Sequence, residues 1–294
     1  MPGNRRWVGL LGLVGAAGIL GWGHVFARLA FSNGVNVITA ATVRSVFAAF
    51  LLIVLLRIRR EAVFPLSREG KLALLIGFFV AGQTAAVQAA VSLMPVTLAI
   101  LVFYTFPFFI GVISSFLGSD RLTPALFLLL VAAFAGLTLV LGVGSESVTV
   151  LGVLAGLTAS LCFTGALMLT PRLAPTLSAP LRTFLTMLTS AAIFVVAAVA
   201  SQKFHLPTNP TGTLGLVGLV ICYAVGINLL FLCLPLLGPA QSAVVLNTEP
   251  VFVAIFAWLA LGEGLSPLQV FGGAVVVGAV MWYQVVRARQ ATKT

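Results

Sequence analysis

The stretches TFPFFIGVISSFLGSDRLTP (residues 105–124) and TEPVFVAIFAWLALGEGLSP (residues 248–267) carry the same marks around an apolar run. Three marks match without a gap at one constant offset: Pro107 with Pro250, Asp120 with Glu263, and Pro124 with Pro267. Such agreement across a whole hydrophobic segment is unusual for unrelated helices. It predicts that the chain is a duplication of one unit.

The composition places both units in a membrane. Hydrophobic residues make up 61% of the chain and charged residues only 7%, and the mean hydropathy is +1.18. Soluble domains carry about 25% charged residues, so this composition excludes a water-facing globule. A duplicated membrane chain is typical of a transporter.

The apolar runs have the length of membrane-spanning helices. A helix needs about 20 apolar residues to cross a bilayer core. Strands are excluded, because the runs are too long and lack the alternation of a lipid-facing barrel. The sequence therefore predicts an all-α polytopic membrane protein with ten transmembrane helices. They cover residues 7–31, 37–56, 71–93, 95–117, 124–142, 148–170, 180–200, 213–236, 239–261 and 267–286.

Ten spans divide into two homologous five-helix repeats, which we place at residues 1–147 and 148–294. Five is an odd number of crossings, so the second repeat is expected to be inverted, with the substrate path between the repeats. A weaker sign of the duplication is the pair Arg44 and Arg182, each near the start of the second span of its repeat. Their separation is a little shorter than that of the paired prolines, which predicts loops of different length.

Basic residues set the expected orientation. An N-terminus in the cytoplasm puts most of them on that side: Arg5, Arg6, Arg57, Arg59, Arg60, Arg68, Lys71, Arg121, Arg172, Arg182, Arg287, Arg289 and Lys293. Lys203 alone then lies clearly in an outer loop, which is a strong positive-inside bias. Both termini are expected in the cytoplasm. The net charge of +10 is thus explained by topology, and no nucleic-acid partner is expected.

Small residues mark the predicted helix contacts. In the first span glycine recurs at every third residue: Gly9, Gly12, Gly15, Gly18 and Gly21. Other predicted close-approach surfaces contain Gly152 with Gly156, and Gly273 with Val277 and Gly278. Ordinary membrane packing explains these glycines, and the functional alternative makes the first span a moving element. The cysteines inside spans are expected to be packing residues: Cys162, Cys222 and Cys233.

Glu249 is the only acidic residue near the middle of a predicted span. Burying a carboxylate there costs about 2.5–3.5 kcal/mol, so it is expected to face a cavity or a partner, or to be protonated. Pro250 leaves a backbone carbonyl without its amide partner, which opens the helix locally. Pro107 is its counterpart, with Phe106 in place of the glutamate. We expect Glu249, Pro107 and Pro250 to serve gating or coupling; a structural hydrogen bond from neutral Glu249 is the open alternative.

Further polar and aromatic side chains near mid-membrane are candidate substrate ligands. They are Trp22, His24, Gln83, Gln88, Tyr104, Phe163, Tyr223, Asn228 and Asn247. Aromatic walls with a few amides and hydroxyls suit a flat or amphiphilic solute. The alternative for each is a structural role in helix packing, with its polar groups hydrogen-bonded inside the protein. Asn247 and Glu249 point nearly opposite ways on a helix, and one of them is expected to bond to a neighbouring helix.

Enzyme signatures are missing from the sequence. It contains no HExxH, GxSxG or Walker motif, and two histidines with six carboxylates are too few for an ordinary metal site. We therefore expect neither catalysis nor a metal or other cofactor.

The block from Pro239 to Tyr283, with its TEP, LGEGLSP and GGAVVVGAV segments, resembles the closing repeat of the EamA branch of the drug/metabolite transporter (DMT) superfamily. The stretch from Pro95 to Val140 is similar, with Asp120 in place of the usual glutamate. The resemblance covers essentially the whole chain. It implies ten helices in inverted five-helix repeats, both termini cytoplasmic, and movement of small metabolites across a bacterial inner membrane.

Within that superfamily the chain looks most like the YddG-type exporters of aromatic and other neutral amino acids. We therefore expect a monomer in the lipid bilayer that exports such small molecules by alternating access, through a cavity lined by spans 1, 3, 4, 6, 8 and 9. Trp22 and Tyr104 are expected at the apolar part of the substrate, and Gln83, Gln88 and Asn228 at its polar groups.

Two alternatives stay open. A carrier of drugs, purines or nucleotide sugars has the same overall pattern, although a nucleotide sugar needs several cavity cations. Only Arg28, Arg44 and Arg182 lie in or near spans. A membrane sensor that binds a solute without moving it is the alternative from a different class.

Overall fold

The fold is a bundle of helices that run alternately up and down. A computed structural model describes residues 2–63, 67–117, 123–142, 148–262 and 264–291. These residues form twelve α-helices and no β-strand. The helices are α1 (Pro2–Phe31), α2 (Val37–Ile58), α3 (Arg68–Leu93), α4 (Val96–Phe103), α5 (Phe106–Phe116), α6 (Pro124–Val140), α7 (Val150–Leu173), α8 (Ala179–Ser201), α9 (Pro210–Leu237), α10 (Pro239–Leu246), α11 (Glu249–Leu261) and α12 (Pro267–Ala291).

The predicted ten spans are present. Nine stretches of the described residues are long and apolar enough to cross a membrane, and α6 is a shorter apolar helix of 17 residues. Two of the nine are each built from a pair of short helices, α4 with α5 and α10 with α11. Met94 and Gly238 lie in tight hairpins between consecutive helices, in agreement with the predicted span bounds.

The helix bounds repeat at the offset that the sequence marks predict. α4, α5 and α6 begin at Val96, Phe106 and Pro124, and α10, α11 and α12 begin at that same offset further along the chain. Five crossings carry the chain to the opposite end of the bundle, so the second repeat starts upside down relative to the first. The predicted fold of two inverted five-helix repeats is therefore confirmed.

The second proline mark of each stretch is a helix start. Thr123 Oγ1 accepts a hydrogen bond from the Leu126 N–H at 3.4 Å, and Ser266 Oγ accepts one from the Gln269 N–H at 3.2 Å. A proline follows each capping residue, where its fixed φ suits the first helical turn. The shared Thr-Pro and Ser-Pro pairs thus begin the last span of each repeat.

Helices of different repeats pack against each other. α1 lies along α9, α3 lies along α7, α2 packs on α8, and α6 packs on α12. The glycines of α1 serve two neighbours, because Gly9, Gly12 and Gly15 face α9 whereas Gly18 and Gly21 face Phe252 of α11. Close approach of backbones replaces the hydrophobic driving force that lipid cannot supply.

The cysteines take part in the same contacts. Cys233 packs on Gly12, Cys222 on Gly23 and Cys162 on Gly82, and all three are free thiols. The predicted packing role is therefore confirmed.

Two sequence predictions about repeats and contacts are wrong. α2 and α8 are capped by Asn36 and Ser178, whose separation differs from that of Arg44 and Arg182, so the two arginines do not occupy equivalent positions. An alignment of the repeats by whole helices is more reliable than one based on two single arginines. A Cβ at Gly278 would meet no atom within 4 Å, so this glycine is not a contact surface.

Some predictions fall on parts of the chain that are not described. Asp120, Arg121, Leu122, Glu263 and Lys293 lie outside the described residues, as do the side chains of Arg5, Arg6, Arg287 and Arg289. The predicted boundary between residues 147 and 148 also touches an undescribed segment and stays a prediction.

Candidate functional site

Two spans are broken at equivalent residues in the middle of the bundle. The turn between α4 and α5 and the turn between α10 and α11 each contain a threonine whose hydroxyl donates to the carbonyl three residues earlier, at 2.7 Å for both Thr105 and Thr248. Pro107 and Pro250 follow two residues later and have no N–H to continue the helix. The predicted local opening of both helices is confirmed.

Glu249 begins α11 directly after the second break. Its side chain is 16% exposed, and its Oε1 lies 3.0 Å from Nε2 of His24 on α1. With the carboxylate ionised, the imidazole N–H is the donor of this contact. The hydroxyl of Tyr104, at the first break, also interacts with this carboxylate. Glu249 therefore joins the two repeats and supplies the predicted interhelical bond, whereas Asn247 is buried and its Oδ1 has no hydrogen-bond partner.

A cavity of about 120 Å³ lies next to His24. Its walls come from α1, α2, α3 and α9, which are spans 1, 2, 3 and 8. The polar and aromatic side chains that line it include His24, Arg44, Gln88 and Tyr223. Span 2 was not expected here, and the predicted spans 4, 6 and 9 do not line this cavity.

The cavity lies toward one end of the bundle. Phe31, near the end of α1, and Val37, at the start of α2, are among its lining residues. We call the end at which α1 joins α2 the cavity end, and the end at which α1 starts the terminal end. The His24 side chain is 54% exposed at the cavity.

Arg44 is the side chain that sequence reasoning did not place in the site. Its Nη2 donates to Thr84 Oγ1 at 3.1 Å, and its guanidinium carbon lies 4.4 Å from the centre of the Tyr223 ring. Such a cation over an aromatic face is worth about 0.5–2 kcal/mol, depending on desolvation. Thr84 in turn donates to Gln83 Oε1 at 3.4 Å. Arg44 thereby connects α2 and α3 of the first repeat with α9 of the second.

A signal for Arg44 was present in the sequence. An arginine well inside an apolar span is costly unless it meets a partner or a water-filled path. That rule applies to Arg44 as it does to Glu249, but the sequence does not say which helices will surround it.

The other predicted ligands are not among the residues that line this cavity. Gln83 Oε1 accepts the hydrogen bond from Thr84. Asn228 donates to the Ala224 carbonyl of its own helix at 2.7 Å. Trp22 lies on another face of α1 from His24, edge-on to Phe256 at 4.6 Å. Four rings form a cluster at the break of the first repeat: Phe103, Tyr104, Phe106 and Phe163.

The cavity residues have buried counterparts in the other repeat. With the capping residues of the second and third spans aligned, Arg44 corresponds to Thr186 and Tyr223 to Ala81. Thr186 is 1% exposed and Ala81 is 3% exposed. Thr186 also donates to the Ala73 carbonyl of α3 at 3.3 Å. The two ends of an internally symmetric molecule therefore differ at these positions, which border a cavity at the cavity end and are packed at the terminal end.

Loop contacts join the two repeats at both ends of the bundle. At the cavity end, Asn36 Nδ2 donates to the Lys203 carbonyl oxygen. The terminal end has its own set. Ser178 Oγ donates to Glu61 Oε2, and the Thr176 N–H donates to Glu69 Oε2 at 3.0 Å. Arg182 is 3% exposed, donates to the Ala174 carbonyl at 3.1 Å and is attracted by the Glu69 carboxylate. We call these contacts the terminal latch. They join the link between α2 and α3 to the link between α7 and α8, across the two repeats.

Comparison with known families identifies the class of protein. The model of the EamA-like transporter family matches residues 7–142 and again residues 150–283. Since these matches cover most of the chain, the protein belongs to the EamA-like transporter family. Members of this family are membrane transporters of the DMT type and not enzymes. The chain is therefore a multi-pass membrane transporter of this type.

The fold is shared with a solved structure. A crystal structure of a protein superposes with a TM-score of 0.78 over 96% of this chain and 98% of that chain, at 20% sequence identity. At that identity the likeness shows a common fold. A comparison with curated proteins finds no match.

Proposed function

We propose that this protein exports small neutral amino acids, aromatic ones foremost, and related metabolites across the bacterial inner membrane by alternating access. It acts as a monomer in the bilayer with both termini in the cytoplasm. The observation that carries the proposal is the cavity between the repeats, which has an arginine on one wall and a histidine bound to a glutamate on another.

The size and chemistry of the cavity favour an amino acid over the alternatives. Its volume of about 120 Å³ is below the about 300–1,000 Å³ typical of sites for drug-sized ligands. A nucleotide sugar needs several cations, whereas Arg44 is the one described cation among the lining residues. The Tyr223 ring and the Gln88 amide offer an apolar face and a polar group to a small solute.

The two repeats supply a mechanism for alternating access. The cavity lies at the cavity end, whereas the residues equivalent to Arg44 and Tyr223 are buried at the terminal end, and the repeats are related by inversion. Exchange of the two arrangements between repeats closes the cavity end and opens the terminal end. Pro107 and Pro250 lie at the helix breaks and have no N–H to bond to the preceding turn, so we propose them as the hinges. Glu249 moves with one hinge and contacts the other repeat.

Flux measurements in liposomes test the function. Purified protein is reconstituted, and uptake and counterflow of labelled L-phenylalanine, a purine, a cationic dye and a nucleotide sugar are followed with and without a pH gradient. We expect saturable movement of L-phenylalanine and of related neutral amino acids. Movement of another solute class alone would assign a different substrate, and binding without flux of any solute would favour a sensor.

A further inference from the structure

We infer that Arg44 is a carboxylate-binding subsite of the cavity, a role that rests on the proposed transport function. The ligand is the carboxylate of the transported solute. A zwitterionic amino acid and a simple organic acid both carry this group, and the test below distinguishes them.

The surroundings of Arg44 leave its charge without a balancing anion. Among the described residues no carboxylate oxygen lies within 4.0 Å of the Arg44 guanidinium, and the Glu249 carboxylate pairs with His24 instead. Arg44 Nε is buried and has no hydrogen-bond partner. Thr84 uses one of the five guanidinium N–H donors, and Tyr223 covers one face. Arg44 lines the cavity, so we infer that its other guanidinium N–H groups bind the solute.

A carboxylate satisfies this environment better than a neutral group does. The guanidinium fork matches two carboxylate oxygens, and charge-assisted hydrogen bonds of this kind are about twice as strong as neutral ones. Thr84 and Tyr223 hold the fork from two other helices, so little side-chain freedom is lost when an anion binds. Arg182 also has a buried Nε without a hydrogen-bond partner, but this arginine is 3% exposed, is attracted by the Glu69 carboxylate and does not line the cavity.

The wall formed by α1 suits the other charge of an amino acid. His24 lines the cavity and holds Glu249, the one carboxylate of this cluster. With its α-carboxylate at Arg44, an amino acid presents its ammonium group to the His24 and Glu249 pair as the nearby acceptor of positive charge. A nucleobase or a cationic dye offers no anion to Arg44, and the site therefore disfavours both.

Binding of three related probes tests the inference on the full-length protein. The probes are L-phenylalanine, L-phenylalaninamide, which lacks the carboxylate, and 3-phenylpropionate, which lacks the amine. We expect the wild type to bind L-phenylalanine at least about tenfold more tightly than the amide, because an unpaired charged donor is left behind when the carboxylate is missing. Arg44→Gln is expected to reduce this preference to within about twofold.

Matched variants keep the test decisive. Arg28→Gln removes the same charge at the same end of the bundle, outside the cavity lining, and is expected to keep the preference. Thr84→Val leaves Arg44 in place but removes its hydrogen bond, so the preference is expected to fall part of the way. If Arg44→Gln does not fold, Thr84→Val and Arg44→Lys carry the comparison, since lysine retains the charge but not the fork.

The outcomes separate the subsite from the function. An Arg44→Gln protein that keeps the full preference for L-phenylalanine over its amide overturns the subsite, and so do folded Thr84→Val and Arg44→Lys proteins that both keep it. Equal binding of 3-phenylpropionate and L-phenylalanine supports the subsite and makes an organic acid the substrate. Wild-type liposomes that move none of the carboxylate probes overturn the proposed function, and a wild type that binds none of them overturns both.

Discussion

Glu249 and His24 are 225 residues apart in sequence and touch at 3.0 Å. The sequence alone places a carboxylate beside a proline at mid-span, which is enough to predict that Glu249 needs a partner. It does not identify His24 as that partner, because the choice depends on how α1 packs along α11. Arg44 shows the same limit, since its contacts with Thr84 and Tyr223 exist only after three helices have assembled.

Removal of the Glu249 charge tests its role in coupling. In Glu249→Gln the contact with His24 can persist as a neutral hydrogen bond, but the side chain no longer takes up or releases a proton. We expect wild-type flux to respond to an imposed pH gradient and Glu249→Gln flux not to respond, measured in the liposomes described above. Glu249→Asp, which keeps the charge, is the control and retains the response. An unaltered gradient response in Glu249→Gln removes the ionic role.

The Tyr223 ring is expected to matter more than its hydroxyl. The ring lies under Arg44, whereas the hydroxyl makes only a 3.9 Å contact with Met187 Sδ. Tyr223→Leu is expected to lose about 0.5–2 kcal/mol of stabilisation of the guanidinium, and Tyr223→Phe nearly none. Thermal unfolding and L-phenylalanine affinity of the two variants provide the measurement. Equal losses in both variants would show that the ring face is not the important part.

At the scale of helices, the local sequence carries most of the information. The Thr-x-Pro triplets specify the two helix breaks, and the Thr-Pro and Ser-Pro pairs specify the starts of α6 and α12. All four were visible as marks at one offset. The partner of each helix was less visible, because glycine spacing shows that a close contact exists but not which helix makes it. Gly278 is the example of a glycine that contacts nothing.

Substitution of the prolines tests the breaks as hinges. Alanine at position 250 restores an N–H that can bond to the Leu246 carbonyl, which removes a proline penalty of up to about 3 kcal/mol from a continuous helix. We expect Pro250→Ala and Pro107→Ala to bind L-phenylalanine normally but to transport it more slowly. Turnover falls about tenfold for each 1.4 kcal/mol by which the resting state is stabilised. Pro239→Ala, at a helix start instead of a break, is the control. Wild-type turnover in both break variants would exclude the hinge role.

A methyl group at the α1 and α9 contact tests the packing of the repeats. A Cβ at Gly215 would lie 2.5 Å from the Ala30 nitrogen and 2.9 Å from the Phe26 carbonyl oxygen, and backbone atoms cannot move aside. Gly215→Val is therefore expected to lose about 1–3 kcal/mol of stability. Gly278→Val is the matched control, because nothing lies within 4 Å of that position. Thermal unfolding in detergent compares them, and equal midpoints would contradict the close contact.

At the scale of the whole molecule, symmetry and asymmetry have different origins. The inverted repeat follows from the constant offset of the paired marks and an odd number of spans, and both are properties of the sequence. The position of the cavity at one end cannot be predicted from the helix pattern, because both repeats have the same pattern. Arg44 and its counterpart Thr186 already differ in the sequence, but only the structure shows that Thr186 is buried while Arg44 borders a cavity.

The terminal latch is the contact that must open if access alternates. Ser178 and Glu61 touch there and belong to different repeats. Cysteines at both positions, in a protein whose Cys162, Cys222 and Cys233 are replaced by alanine, can be joined by a short bis-methanethiosulfonate bridge and released by a reductant. Proteins with only one of the two cysteines control for modification without a bridge.

Flux through the bridged protein is the most direct test of alternating access between inverted repeats. We predict that bridging residues 61 and 178 abolishes movement of L-phenylalanine, or of whichever solute the wild type moves, while binding at the cavity is retained. Reduction of the bridge restores the flux. Undiminished flux with the bridge intact would contradict the account, because the path would then cross the membrane without opening the terminal end.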